Sequence, residues 1–406
     1  MSDAALRQCA ILVGGLGTRL GSLTATTPKP LVRCGDRPFL AWLMREMQRF
    51  GIEEFVLLAG HLSEEIERKV AAIQEHLPKS TRITISVEPV RAGTGGALHY
   101  ARHLLDERFL LCNGDSIFAC NLTRLIGRAI SDPTGGNWVL LRAVDDLDRY
   151  GAVELARESN HVVAFHPVAQ PGQSGLINSG VYLLDHSVFS HVSETCSLEA
   201  DVLPQLASHG GLKGMVLEGY FRDIGLPGDL SEAELELPSR LLRPSVFLDR
   251  DGVINVDQGW VGTRDRFIWT QGVFEALRRL TDDGFHVFIV TNQSGIARGF
   301  YTEEDLQGLM DWAIRTIRMQ GATIDDWRYC PTHPEAPLAQ YRVKSSRRKP
   351  GTGMIDELVH AWEVDPAKGV LLGDQTTDMA AGRAAGLRAR RIGPQLLADV
   401  VLNRSM

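Results

Sequence analysis

Long hydrophobic runs are missing from this 406-residue chain. The longest, such as 109–112 and 287–290, fall far short of the roughly 20 apolar residues that span a bilayer, so no membrane partner is expected. Cysteine is scarce, with six residues scattered along the chain, which reads as reduced thiols rather than a disulfide framework. The opening residues 1–8 have no basic stretch leading into an apolar one, so no secretory leader is expected and the reading is cytoplasmic. An excess of positive charge is also absent: 43 Lys and Arg against 50 Asp and Glu give −7, which lends no support to a nucleic-acid partner. What remains is a composition with 44% hydrophobic and 23% charged residues, ordinary for a folded enzyme acting on small molecules. The length predicts two or three domains.

Short β-rich apolar runs alternate with helical patterns from end to end. Runs at 9–13, 55–59, 83–87 and 109–112 read as buried strands, and 39–50 carries apolar residues at helical spacing. That rhythm predicts a parallel sheet covered on both faces. Around 231–244 an acidic stretch with two prolines reads as a terminal helix and a linker. A second series follows, with strands at 246–248, 287–290 and 370–372. The expected architecture is α/β, with a Rossmann-like domain over 1–236, a linker over 237–244 and a second Rossmannoid domain over 245–406. No internal repeat is visible.

In the first half, Gly14-Gly15-Leu16-Gly17-Thr18-Arg19-Leu20 follows the first strand, and Thr27-Pro28-Lys29-Pro30-Leu31 comes soon after. Glycines at a strand's carboxyl end let backbone amides approach phosphate oxygens, because no Cβ intervenes. Arg19 and Lys29 can neutralise a triphosphate and a leaving pyrophosphate. The chain lacks the Lys-Ser/Thr ending of a P-loop, and the spacing is not that of a dinucleotide fingerprint. Together these motifs resemble the sugar-1-phosphate nucleotidyltransferases, over most of residues 8–230. The resemblance implies nucleotide contacts at Gly14, Gly15, Gly17 and Thr18, and a base-binding loop at Gly93-Thr94-Gly95-Gly96-Ala97, preceded by Glu88. It also implies sugar-binding segments around Glu154 and Asn178. Asp115, in Asn113-Gly114-Asp115, and Asp223, in Asp223-Ile224-Gly225, would hold Mg²⁺. The implied reaction is attack of a sugar-1-phosphate oxygen on the α-phosphorus of an NTP, and it needs no protein nucleophile. One feature of the family is missing: its Glu-Lys-Pro-like segment, whose lysine grips the sugar phosphate, is replaced by Phe165-His166-Pro167-Val168-Ala169-Gln170-Pro171.

In the second half, Asp249-Arg250-Asp251-Gly252-Val253-Ile254-Asn255 follows a hydrophobic strand. Two carboxylates at i and i+2 suit a nucleophile (Asp249) and a general acid and base (Asp251). Thr291-Asn292-Gln293-Ser294-Gly295 ends the next strong strand and offers a hydroxyl and amides to phosphoryl oxygens. Lys349, after Arg347-Arg348, supplies a cation, and Asp374 ends a further strand where it can complete a Mg²⁺ site. This ordered set resembles a haloacid-dehalogenase-type phosphatase, closest to the heptose-bisphosphate and histidinol-phosphate phosphatases. The resemblance implies a Mg²⁺ held by Asp249, Asp251 (through its backbone carbonyl) and Asp374, with substrate contacts at Thr291, Asn292, Arg298 and Arg348. The zinc loop of those relatives keeps only Cys330 in register, with His333 displaced, so structural zinc is not expected. Only the short stretch 257–271 stands where a cap would be inserted, so the site is expected to be open.

The two halves together imply consecutive steps on one metabolite. Family resemblance on both sides points to nucleotide-activated heptose synthesis for surface polysaccharide: loss of the 7-phosphate from heptose 1,7-bisphosphate, then guanylyl transfer from GTP to the 1-phosphate. The expected partners are these small molecules, and a homo-oligomer stays open. Two alternatives also stay open: a phosphatase acting on another ester such as histidinol phosphate, and a first half that only binds or regulates.

Overall fold

The computed structural model describes residues 6–17, 20–21, 24–147, 150–166, 172–392 and 397–403. The chain divides into two compact units, residues 1–241 and 242–406.

In the first unit, strands Arg82–Val87, Glu54–Ala59, Gln8–Leu12 and Arg108–Asn113 lie side by side, all parallel. In chain order that arrangement is 3-2-1-4, so the winding reverses between Gln8–Leu12 and Arg108–Asn113. Open sheets bind ligands at such a reversal, because the loops leaving the two strands diverge and leave a crevice. Beyond Arg108–Asn113 the sheet departs from the expected parallel pattern. Gly175–Asp185 pairs antiparallel with it, and then with Asn137–Val144 and Ala152–Leu155. Ala152–Leu155 also pairs antiparallel with Val162–His166, whose connection, 156–161, is shorter than the dozen or so residues a parallel crossover requires.

The first unit ends in helix Pro227–Leu241, which continues through Pro238. Residues 237–241, expected as linker, therefore complete a helix, and only 242–244 are non-helical before the next strand. A proline inside a helix removes a hydrogen bond and costs about 3 kcal/mol. Burial of Leu237 and Leu241 on one helix face offsets that cost, and the Pro238 ring packs close over Gly35.

The second unit has five parallel strands in the order Asp326–Cys330, His286–Asn292, Ser245–Leu248, Gly369–Gly373, Arg388–Arg391. Chain order reads 3-2-1-4-5, with the reversal between Ser245–Leu248 and Gly369–Gly373. Side chains alternate across this sheet. Val246 and Leu248 join the core under helices Val273–Asp282 and Glu303–Met319, whereas Phe247 joins Phe288 and Leu371 under helix Gly353–Trp362. Helix Glu303–Met319 starts at a reciprocal cap between Thr302 and Asp305, which satisfies otherwise orphaned amides. No cap domain interrupts 249–272: Asn255 bridges to Asp251 and Trp269, and the chain returns directly to helix Val273–Asp282.

Candidate active sites

In the first unit the winding reversal brings three predicted residues together. Lys29 sits on the short turn Lys29–Leu31, and its Nζ donates to Asp115 Oδ2 at 2.6 Å. The same Nζ lies 3.8 Å from Asp223 Oδ1. Asp223 reaches this point because strand Tyr220–Asp223 pairs with Ser116–Ala119, which sets it opposite Ser116, next to Asp115. Burial, and then the neighbouring Asp115 charge, raise the Asp223 carboxyl above its ordinary range, while Lys29 pulls it back. Asp223 Oδ1 is buried without a hydrogen-bond partner. Two carboxylates sharing one lysine, with an unsatisfied oxygen between them, fit a hard divalent cation such as Mg²⁺.

Beside this cluster a cavity is lined by Gly14, Gly15, Glu88, Arg91, Gly93 and Thr94, among others. A Cβ on Gly15 would meet nothing within 4 Å, so its backbone is open to the cavity. Gly17, at a left-handed φ of +62°, packs on Thr24, and Thr18 and Arg19 lie outside the described residues. The 93–96 glycines serve a second purpose. Gly93 holds a left-handed φ of +80°, and a Cβ there would strike the Cys196 carbonyl at 2.6 Å. Gly95 and Gly96 both donate to that same oxygen. The Thr94 hydroxyl donates to Glu199 and accepts from the Leu198 amide, which ties the loop to the 196–199 turn. The Glu88 carboxyl accepts from the Ala92 amide, and burial raises its proton affinity. Glu154 pairs with His166 at 3.1 Å, and the Asn178 amide donates to the Tyr182 hydroxyl.

In the second unit the reversal lies between Asp249 and Asp374, each just past its strand. Carboxylate oxygens of Asp249, Asp374 and Asp378 all fall within 4.8 Å of one another. Gly252 permits this: its φ is +79°, and a Cβ would collide with Asp374 Oδ2 at 2.5 Å. Lys349 Nζ lies 3.0 Å from Asp249 and 2.7 Å from Asp378. Burial opposes the lysine's charge, but the two carboxylates outweigh it and raise its proton affinity. Asp249 is pushed up to about 7, first by burial, against the pull of Lys349. Burial also raises Asp374, whose Oδ1 is buried and unpartnered. This oxygen-only set again fits a hard divalent cation.

Asp251 lines the same cavity as Asp249 and is clasped by donors from Arg250, Asn255 and Gln293. Gln293 also donates to Thr291 Oγ1 and accepts from the Tyr301 hydroxyl. Asn292 uses its side-chain amide on both backbone groups of Lys349, donating to the carbonyl and accepting from the N–H. Asn292 therefore steers the lysine as well as lining the cavity of about 230 Å³. Trp260 lines the same cavity, packs at a tilt against the Phe300 ring, and carries the Arg298 guanidinium 5.5 Å above its own ring. Arg348 donates to the Thr332 carbonyl; burial, then the nearby Arg298 charge, lowers its proton affinity. His333 is lowered by burial and by both arginines. Cys330 is buried against Thr332, and hydrogen bonds such as His333 to Tyr341 and Tyr341 to Glu303 tie down the loop between.

Sequence reading missed Asp378, Gln293, Asn255, Arg250 and Trp260. Asp378 had a signal: four residues after Asp374, it falls on the first turn of helix Thr376–Ala384, which it caps. Trp260 had none, since its place follows from a loop that returns to the cavity.

One centre is that of a nucleotidyltransferase and the other that of a phosphatase. Comparison with known proteins agrees. The nucleotidyl transferase family matches residues 9–240 and a HAD-hydrolase-like family matches 346–390. A D-glycero-beta-D-manno-heptose-1,7-bisphosphate 7-phosphatase of Rhodopseudomonas palustris is 48% identical over 145 residues, 36% of this chain and 81% of the relative. A D-glycero-alpha-D-manno-heptose-1,7-bisphosphate 7-phosphatase of Burkholderia mallei is 42% identical over 143 residues, 35% of this chain and 76% of the relative. HddC of Yersinia pseudotuberculosis superposes with a TM-score of 0.50 at 28% identity, over 57% of this chain and 99% of HddC. Its complex with GMP-PN matches at 29% identity, with the same TM-score and coverage. The chain belongs to the nucleotidyl transferase family, and its C-terminal unit to the family of heptose-bisphosphate 7-phosphatases. Among the described residues, no helix is long and apolar enough to cross a membrane.

Proposed function

We propose that one chain performs two consecutive steps: it removes the 7-phosphate of D-glycero-D-manno-heptose 1,7-bisphosphate, then transfers GMP from GTP to the resulting α-anomeric 1-phosphate. The observation that carries this reading is the pairing itself. A unit similar to HddC is joined to one 42% identical to a D-glycero-alpha-D-manno-heptose-1,7-bisphosphate 7-phosphatase, and the 1-phosphate left by such a phosphatase is what the proposed guanylyl transfer consumes.

In the phosphatase unit, Asp249 attacks the 7-phosphorus and becomes an aspartyl-phosphate while the sugar oxygen leaves with a proton from Asp251. Asp251 then takes a proton from water, which cleaves the acyl phosphate and restores Asp249. Lys349 neutralises the transferring oxygens, and Asp378 and Asn292 hold Lys349 in place. A bound Mg²⁺, held by Asp249, Asp374 and the Asp251 carbonyl, would offset charge on the phosphoryl group. Thr291 and the amides after it face the same oxygens, and the Arg298, Arg348 and His333 cluster receives the 1-phosphate that must survive. Trp260 offers its ring to the sugar.

In the transferase unit, Gly14, Gly15, Gly17 and Thr18 contact the triphosphate, while Arg19 and Lys29 balance its charge. Glu88 accepts from the guanine edge beside Gly93, Thr94 and Gly95, and Glu154 and Asn178 bind sugar hydroxyls. Asp115 and Asp223 would hold a Mg²⁺. The sugar-phosphate oxygen attacks the α-phosphorus and pyrophosphate departs, so positioning and charge balance suffice.

The test supplies purified protein with α- and β-anomeric heptose 1,7-bisphosphate, Mg²⁺ and each of four NTPs. Release of the 7-phosphate, followed by pyrophosphate and a GDP-heptose from the α-anomer, is the expected result. Phosphate without pyrophosphate under every combination would leave a phosphatase beside a binding module and defeat the two-step reading.

A further inference from the structure

The transferase pocket has a charge problem. Lys29 is already engaged by Asp115 and Asp223, the sugar 1-phosphate is a dianion, and the segment 165–171 contains no lysine or arginine. Of the other cations in this part of the unit, Arg222 is paired with Glu232 and Glu236, and Lys213 with Asp132. His166 faces Glu154.

We infer that Arg142 is the group that grips the phosphate of the sugar 1-phosphate, a reading that rests on the transferase function proposed above. Arg142 lies on strand Asn137–Val144, half-buried, with its guanidinium 5.2 Å above the ring of Phe221. Among the described residues it has no hydrogen bond and no ion pair, so its five N–H donors remain available in the plane of the stacked fork. Phe221 is two residues before Asp223 on the same strand, and side chains two apart project from the same face. The guanidinium is thereby shelved on the side of the carboxylate pair. On the other side, Arg142 lies opposite Ile177, and Ile177 lies opposite Ala152. Cross-strand partners share a face, so Arg142 shares one with Glu154, two residues beyond Ala152. A sugar whose hydroxyls meet Glu154 can thus present its phosphate between Arg142 and the Asp115–Asp223 pair. Planar guanidinium binds phosphate oxygens in pairs, so an arginine fits where the family usually places a lysine.

The experiment compares wild type, Arg142→Ala, Arg142→Lys and, as a control a few residues along the sequence, Arg149→Ala. The readout is pyrophosphate formation from GTP and α-heptose 1-phosphate. Arg142→Ala should raise KM for the sugar phosphate at least about tenfold, the effect of one charged hydrogen-bonded contact, and leave KM for GTP within about twofold. Arg142→Lys should recover part of the loss; the retained KM for GTP reports an intact transferase fold, and phosphatase activity of every variant should match wild type. An unchanged sugar-phosphate KM, an equal rise in both KM values, or a loss seen only in Arg149→Ala would overturn the assignment. If wild type forms no pyrophosphate, the transferase reading fails separately, and calorimetric binding of mannose 1-phosphate then decides on Arg142. Binding by wild type that Arg142→Ala abolishes upholds it; equal binding, or none by either, refutes it.

Discussion

The two units solve the same topological problem in the same way and then diverge chemically. Each reverses its winding beside its first strand, in the orders 3-2-1-4 and 3-2-1-4-5, and each gathers carboxylates and a lysine at that point. The difference is depth. In the transferase unit the Asp115 and Asp223 side chains are 39% and 30% exposed; in the phosphatase unit Asp249 is 11% exposed and Asp378 fully buried. A reaction whose two substrates bring the nucleophile and leaving group needs only an open, charge-balanced shelf. A reaction that makes the protein itself the nucleophile calls for a carboxylate partly stripped of water and fixed by a buried cation, because a fully hydrated carboxylate is a weak nucleophile.

That contrast predicts how each centre breaks. Asp249→Asn, which removes the proposed nucleophile, should lower phosphate release more than about 10³-fold, with pyrophosphate formation unchanged. Asp223→Asn weakens a charge-balancing site rather than a bond-forming one, so the transferase should fall by about 10²-fold or more, with phosphatase unchanged. Initial rates of both half-reactions on each variant check this. Equal losses in the two variants, or cross-effects between units, would remove the distinction.

The phosphatase centre was more legible in the sequence for the same physical reason. Its chemistry is written by side chains at fixed spacing after strands, as in Asp249-Arg250-Asp251 and Gly373-Asp374. What escaped there was support: Gln293 and Asn292 are visible as letters, but their bonds to Asp251 and Lys349 join residues more than forty positions apart. The transferase centre depends more on backbone amides and on strand pairing. No local pattern foretells that Tyr220–Asp223 pairs with Ser116–Ala119, so the proximity of Asp115, Asp223 and Phe221 emerges only in three dimensions. Helix Pro227–Leu241 shows the opposite failure, a strong local signal at Pro238 overridden by burial of its neighbours.

The smallest expected effect concerns stability and sharpens the same contrast away from either centre. Asp132 bonds to Lys213 and Thr134, which hold its carboxyl down at about 2. A carboxyl depressed in the folded state adds stability above its unfolded value of about 3.9 and loses it as pH falls toward 2. Asp132→Asn should therefore cost the first unit on the order of 1–2 kcal/mol at pH 7, and the deficit should shrink between about pH 4 and pH 2. Thermal unfolding across that range, with phosphatase activity as the marker of an intact second unit, measures it. A deficit independent of pH would mean the pair contributes by packing alone.

The central claim, that one chain carries two independent phosphorus-handling centres, is tested most directly by complementation. Asp249→Asn and Asp223→Asn proteins, each supplied alone with α-heptose 1,7-bisphosphate, GTP and Mg²⁺, should make GDP-heptose at no more than about a hundredth of the wild-type rate. Mixed in equal amounts they should make it, because the phosphatase of one releases the substrate for the transferase of the other. A mixture as inactive as its components, with both proteins folded, would contradict the claim.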